Sequence, residues 1–187
     1  MKKLLFIIAG GLLLSTSTFA QTNYNLVQEK SQVTVSGTSS LHDWEIDAEK
    51  FSGLATITIQ DGNLEAIDKL NLTVEVESII SGKRVMDGKV REAFDAKKNP
   101  LIIFELNEVT SITADSVFTT GKLTMAGVTN TINLAGAYTI DGNGILSVTG
   151  SKQVKMTDYK IDPPRAMMGT IKTGDEVEIV FSVDFSK

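Results

Sequence analysis

The fold is decided by a stretch that runs from Phe51 to Asn63 and reads FSGLATITIQDGN. Side chains on a β-strand point alternately to its two faces, so a period of two predicts a strand with one buried face. The Asp61-Gly62-Asn63 run supplies the positive φ angles that a tight hairpin needs. The stretch therefore predicts a strand followed by a turn. Apolar or small residues occupy every second position of the strand: Phe51, Gly53, Ala55, Ile57 and Ile59.

The same alternation recurs through most of the chain. β-branched residues predict further strands at 116–125 and 145–156, with a turn at Asp141–Gly144. About eight short strands predict an all-β, antiparallel domain, which can close as a barrel or pack as a two-sheet sandwich. The other alternating segments are 33–37, 72–76, 104–106, 132–138 and 177–185.

One segment has a helical period instead. Met86, Val90 and Phe94 recur about every four residues, before the helix-ending Asn99-Pro100 pair. The pattern predicts a short amphipathic helix over residues 83–95. Its apolar stripe is expected to seal the helix onto the barrel.

The first 20 residues read as a secretory signal peptide. Two lysines precede an apolar run from Leu4 to Leu14, and the small residues Thr18 and Ala20 suit signal-peptidase cleavage. A membrane-spanning helix needs about 20 apolar residues, so we expect no stable membrane span. The prediction is a signal peptide at residues 1–20, one domain at 21–187, and a periplasmic or secreted location.

Composition argues against several classes of function. The chain of 187 residues has 18 Lys and Arg against 23 Asp and Glu, a formal net charge of -5. Nucleic acid is not an expected partner, because phosphate binding needs clustered cations. The lack of cysteine excludes disulfides and thiol chemistry. With one histidine, no His-Glu-x-x-His motif and no complete calcium loop, we expect no metal and no cofactor.

An eight-stranded barrel can be filled by side chains or can hold one small ligand. Small residues on the strands predict interior space, although glycine in strands also marks bulges, so a filled core is the alternative. Methionines are flexible fillers that suit either case. The small residues are Gly37, Gly53, Ala55, Ala135 and Gly136, and the methionines are Met125, Met156, Met167 and Met168.

Three segments carry a resemblance. They are SGTSSLHDW at residues 36–44, MDGKVREAFD at 86–95 with NPLIIF at 99–104, and GKLTMAGVT at 121–129. Together they resemble the YceI family of secreted bacterial proteins, and the last is the most specific. The resemblance implies an eight-stranded antiparallel, lipocalin-like barrel whose apolar cavity holds an isoprenoid chain, such as a polyprenyl phosphate precursor or a quinone tail.

The implied function is binding, storage or transport of a long-chain isoprenoid lipid, without catalysis. Aliphatic and aromatic side chains would enclose the tail, and residues near His42 and Trp44 would approach the head group. Homodimers occur among look-alike proteins, so the resemblance leaves both a monomer and a homodimer open. The candidate ligand-binding residues are His42, Trp44, Phe51, Met86, Phe94, Phe104 and Met125.

Other functions stay open at this point. His42 beside Asp43 could act as the base of a hydrolase or isomerase that acts on a lipid, but no Gly-x-Ser-x-Gly nucleophile is present, and adjacent strand residues point to opposite faces. We therefore assign no catalytic residue. A ligand-free adaptor with a filled barrel is the third reading. In the loop after residue 157, Lys160 or Arg165 could meet a phosphate, or could be solvated charges.

Overall fold

The structure, a computed structural model, describes residues 21–187. The predicted signal peptide at residues 1–20 lies outside the described residues. From residue 21 onward, the chain forms 12 β-strands and one α-helix, α1 at Arg84–Phe94. The strands are β1 Thr22–Leu26, β2 Gln32–Ser39, β3 Trp44–Ala48, β4 Phe51–Gln60, β5 Asn63–Glu75, β6 Ile79–Ile80, β7 Leu101–Ile112, β8 Ser116–Met125, β9 Val128–Ile140, β10 Leu146–Lys155, β11 Arg165–Ala166 and β12 Ile171–Ser186.

Eight of the strands in residues 21–187 close into a ring. Their order is β1-β4-β5-β7-β8-β9-β10-β12, and β1 closes the ring because it pairs with both β4 and β12. Every neighbouring pair in the ring is antiparallel. Each ring strand thus has a paired neighbour on both sides over at least part of its length. The predicted eight-stranded antiparallel barrel is confirmed, and the two-sheet sandwich is wrong.

One side of the barrel extends beyond the ring. β2 continues β1 along β12, β3 pairs with β2, and the two-residue β6 pairs with β3. The interruption between β1 and β2 is held by hydrogen bonds: Ser31 Oγ donates to the Val27 carbonyl at 2.7 Å, and the Phe51 amide donates to Gln28 Oε1 at 3.1 Å. This extension forms part of one barrel end.

The opposite end is closed by a buried cluster. Tyr24, Ile57 and Leu146 are each 1% exposed, and Phe185 is 3% exposed. The Tyr138 hydroxyl donates to the Thr113 carbonyl at 2.8 Å, which ties the β7–β8 turn over this end. We call it the closed end.

The predicted turn at Asp61-Gly62 is present at the closed end. Asp61 has φ 50° and Gly62 has φ 79°, and β4 and β5 pair on either side of them. These are the left-handed angles of a two-residue hairpin, which glycine adopts without strain.

The predicted helix is confirmed as α1. At its start, Asp87 Oδ1 accepts hydrogen bonds from the Ser81 amide and the Ser81 hydroxyl, both at 2.7 Å. These bonds lower the pKa of Asp87 from its usual 3.8. At its end, Asp95 takes the left-handed conformation with φ 47°. Within residues 21–187, no helix is long and apolar enough to cross a membrane.

Candidate functional site

A cavity of about 490 Å³ lies inside the barrel. Each of the eight ring strands contributes to its wall, and α1 covers part of it. The volume lies within the roughly 300–1,000 Å³ of typical small-molecule pockets. The interior of this barrel therefore has room for a ligand, and the expectation of a filled core is wrong.

The wall of the cavity is almost entirely aliphatic and aromatic. Two buried clusters supply most of it, one around Phe104, Leu123 and Val177, the other around Ile46 and Phe51. Each inward residue alternates with an outward one along its strand, as the period of two predicts.

Aromatic rings fill some of the space that inward glycines leave. A Cβ at Gly37 would lie 2.8 Å from Cε2 of Trp44, and a Cβ at Gly150 would lie 2.6 Å from Cζ of Phe181. These glycines therefore make room for rings that line the cavity, rather than open space for a ligand. Ala135, predicted to give interior space, is exposed and pairs with the exposed Phe118, although it also borders the cavity.

Every charged residue in the described cavity wall is basic. The wall has no Asp or Glu from residues 21–187, although the chain as a whole carries a net charge of -5. The electrostatic character of the cavity is thus opposite to that of the protein. The basic residues of the wall are Lys83, Lys89, Lys152 and Arg165, and His42 also contributes.

Among these basic residues of the wall, only Lys152 lies on one of the eight ring strands. It pairs with Ile179 across β10 and β12, in the same inward series as Leu146 and Val154. Lys152 is half-buried, and it forms no ion pair with any residue in 21–187. It is absent from the site residues predicted from sequence, although the alternation of β10 already places it among apolar neighbours.

The wall beside Lys152 is not a continuous ladder. β9 and β10 pair only from Leu146 with Ile140 to Thr149 with Ala137, so residues 150–155 of β10 pair with β12 alone. Farther along, Asn130 Nδ2 donates a hydrogen bond to the Asp158 carbonyl at 2.9 Å, which connects β9 to the segment that follows β10.

Tyr159 packs behind this hydrogen bond and is 2% exposed. Its hydroxyl has no hydrogen-bond partner within the described part of the chain. Burial raises the pKa of the Tyr159 hydroxyl above its usual 10.0; the neighbouring Asn130 side chain opposes this increase, and the charge of Asp158 adds a smaller increase.

The cavity reaches the surface at the end opposite the closed end, which we call the open end. Its rim consists of the β2–β3 tip at residues 39–43, the first turns of α1, and residues 164–171. Two of these segments are joined: the Ser40 amide donates to the Lys172 carbonyl at 2.9 Å, and the Lys172 amide donates to Ser40 Oγ at 3.0 Å.

All seven residues predicted from sequence as ligand contacts lie in the cavity wall. Phe51, Phe104 and Met125 are buried, Trp44, Met86 and Phe94 are half-buried nearer the open end, and His42 is exposed on the rim. Their role as ligand contacts stays a prediction.

His42 has no carboxylate partner in this structure. Its Nδ1 lies 2.6 Å from the backbone carbonyl of Asp43, and the ring is exposed. The geometry therefore lacks a base that is oriented by a carboxylate. In residues 21–187, no three His, Cys, Asp or Glu side chains are grouped so that they could hold a metal ion.

The two loop residues that could meet a phosphate lie in a mixed environment. Lys160 and Arg165 line an outer groove with two further cations, Lys89 and Lys172, and with three acidic residues, Glu92, Asp162 and Asp175. The acidic residues offset much of the attraction that the four cations have for an anion. Two methionines predicted as fillers lie on the surface: Met167 is 74% exposed and Met168 is 108% exposed, and both take the left-handed conformation.

The closed barrel, its apolar cavity and the covering helix α1 define a lipocalin-like fold. The sequence matches the YceI-like domain over residues 24–185, and the chain belongs to this family. No curated protein matches the sequence.

Three solved structures resemble this fold. BcnA of Burkholderia cenocepacia has a TM-score of 0.73 at 20% identity, over 85% of this chain and 98% of the other. A polyisoprenoid binding domain from Saccharophagus degradans, implicated in plant cell wall breakdown, has a TM-score of 0.67 at 15% identity. The match covers 87% of this chain and 97% of that domain. A Campylobacter jejuni YceI protein has a TM-score of 0.61 at 17% identity, and the match covers 100% of this chain and 99% of the other.

Proposed function

We propose that this protein binds a long-chain isoprenoid lipid in the barrel cavity, stores or transports it, and is not an enzyme. The observation that carries the proposal is the enclosed, nearly all-apolar cavity of about 490 Å³. The Saccharophagus degradans neighbour, described as a polyisoprenoid binding domain, supports the ligand class.

The cavity wall matches the chemistry of an isoprenoid tail. Such a tail offers only apolar surface, and each Å² removed from water stabilises the complex by roughly 25 cal/mol, less the cost of ordering a flexible chain. Met125 and Met86 in the wall can adapt their rotamers to a chain with repeated methyl branches. No specific hydrogen bond is needed along the tail.

The charges in the wall favour a lipid with an anionic end. Lys152 lies among apolar side chains without an ion pair from the described residues, and a half-buried ammonium gains from a counter-ion there. Lys83 and Arg165 at the rim are also cationic. A polyprenyl phosphate therefore fits this cavity better than a quinone, whose head group is neutral.

Lipid hydrolysis or isomerisation has less support. The exposed His42 contacts a backbone carbonyl and not a carboxylate. The ligand-free adaptor is also less favoured, since it requires a filled barrel. A periplasmic or secreted location and a homodimer stay proposals, the first based on residues 1–20.

Native mass spectrometry of the mature protein, purified from its exported fraction, tests the proposal. We expect a bound species that organic extraction releases as molecules spaced by one isoprene unit. The same spectrum reports whether the protein is a dimer. A protein that carries no lipid and takes up neither added polyprenyl phosphate nor added polyprenol would contradict the proposal.

A further inference from the structure

The most exposed apolar side chains of residues 21–187 gather at the open end. Leu41 is 66% exposed, Val85 78%, Met167 74% and Met168 108%. The other large exposed apolar residues of the described chain are only 39% to 48% exposed and lie on other strands. We call Leu41, Val85, Met167 and Met168 the apolar rim.

The apolar rim lies at and beside the mouth of the cavity. Leu41 and Val85 both line the cavity, and so does Ala166, which directly precedes Met167. The hydrogen bonds between Ser40 and Lys172 hold the segments of Leu41 and Met167 together. The rim is therefore continuous with the apolar interior of the barrel.

The backbone under the two methionines is strained. Met167 has φ 51° and Met168 has φ 55°, in the left-handed region that costs about 1 kcal/mol or more for a residue with a Cβ. The flanking pairs of β11 with β12, Arg165 with Lys172 and Ala166 with Ile171, hold the segment in place. The two methionine side chains are exposed to water, so no packing energy from them offsets the backbone strain. A partner that covers them would supply it.

The open end is basic on an acidic protein. Residues 39–44, 83–92 and 160–175 contain seven Lys and Arg and five Asp and Glu, against 18 and 23 in the whole chain. Of the seven cations, Lys89 is paired with Glu92 and Arg91 with Glu77. Asp87 and Asp175 accept hydrogen bonds from Ser81 and Thr157. Arg84 and Lys172 are exposed and form no ion pair with the described residues.

We propose that the open end docks on an anionic lipid membrane, with the apolar rim inserted into the interface. Exposed apolar side chains flanked by Lys and Arg are the features by which peripheral proteins bind anionic bilayers. A membrane is favoured over a protein partner because the rim lies at the mouth of an apolar cavity. A lipid tail could pass through this contact without crossing water. The lipid transfer rests on the proposed function, but the docking does not.

Vesicle co-sedimentation tests the docking. We expect the protein to bind vesicles of phosphatidylcholine with phosphatidylglycerol and to bind pure phosphatidylcholine far more weakly. Met167→Ser with Met168→Ser should weaken binding by about tenfold or more. Leu54→Ser with Val180→Ser removes exposed apolar residues from the barrel wall and should leave it unchanged.

A charge series tests the electrostatic part. Arg84→Gln and Lys172→Gln should each weaken binding to the anionic vesicles by about fivefold and reduce its salt dependence. Lys69→Gln and Lys122→Gln, on exposed strand positions away from the rim, are the matched controls.

Two results would overturn the docking proposal. One is equal vesicle binding by the wild type and the methionine variant, or no binding by either. The other is a dimer in solution that the methionine variant abolishes while vesicle binding is absent, because a second copy would then cover the rim. Polyprenol delivered from cyclodextrin should still bind the methionine variant. If the wild type does not bind polyprenol delivered from cyclodextrin, this result contradicts the proposed function and not the docking.

Discussion

The indole ring of Trp44 lies over Gly37, its partner across β3 and β2, and Trp44 Nε1 donates a hydrogen bond to the Thr38 carbonyl at 2.9 Å. Gly37 has no side chain, so the ring can lie flat against the strand and still line the cavity. Because Trp44 is the only tryptophan, its fluorescence reports on the cavity near the open end.

Replacement of Gly37 should displace this ring. In Gly37→Ala, the new Cβ would lie 2.8 Å from Cε2 of the indole, so we expect the unfolding free energy to fall by about 1–3 kcal/mol. The tryptophan emission should shift as the ring moves. Denaturant unfolding and emission spectra measure both effects. Gly142→Ala, where a Cβ has no neighbour within 4 Å, is the control, and equal effects in the two variants would contradict the close contact.

A bulky residue on the inward face of β9 should block ligand binding. Ile132 is half-buried in the cavity wall, whereas the next residue, Asn133, is exposed on the outward face. We expect Ile132→Trp to weaken the binding of a polyprenyl phosphate by at least about tenfold, since it fills space that the tail needs. Asn133→Trp should bind as the wild type does. Quenching of Trp fluorescence would be ambiguous here, so isothermal titration is the measurement.

Lys152 should affect stability and head-group preference in opposite directions. Lys152→Met removes an unpaired, half-buried charge, so we expect the unfolding free energy to rise by about 1 kcal/mol. The same change should lower the preference for polyprenyl phosphate over polyprenol of equal length by about fivefold or more. Lys155→Met, on the outward face of β10 near Glu176, should change either quantity little. A destabilised Lys152→Met variant with unchanged preference would assign Lys152 a structural role only.

Tyr159 should make the fold sensitive to alkaline pH. Because burial raises the pKa of its hydroxyl in the folded state, the neutral form is favoured on folding. This contribution is fully present below the unfolded pKa of about 10 and is lost as the pH rises through the folded pKa. Urea unfolding between about pH 9 and 11 should therefore show a steeper loss for the wild type than for Tyr159→Phe.

The same variant also tests the missing hydrogen bond. Since the Tyr159 hydroxyl has no partner among residues 21–187, Tyr159→Phe should be neutral or stabilising at pH 7. A loss of more than about 1 kcal/mol at pH 7 would reveal a hydrogen bond that the structure does not contain.

The predicted strands at 116–125 and 145–156 correspond closely to β8 and β10, and the helix at 83–95 to α1. These elements were predictable because each depends on a local period: two residues for a strand, about four for a helix face. Ala135 was misplaced because its neighbours Leu134 and Gly136 face inward, and the period of two then turns Ala135 outward. Met167 and Met168 were misplaced because they lie between β11 and β12, and the two-residue β11 is too short to show a period in the sequence.

The sequence by itself determined an all-β domain with tight turns and one short helix, since alternation and turn residues act over neighbouring positions. Only the tertiary structure decided what the inward faces enclose. Closure of β1 onto β12 turns the alternating face of β10 into a cavity wall and so places Lys152 inside it. The tertiary structure also brings Leu41, Val85 and Ala166 to one cavity, although they are far apart in the chain. Such contacts depend on which strands pair, and no local pattern records the pairing.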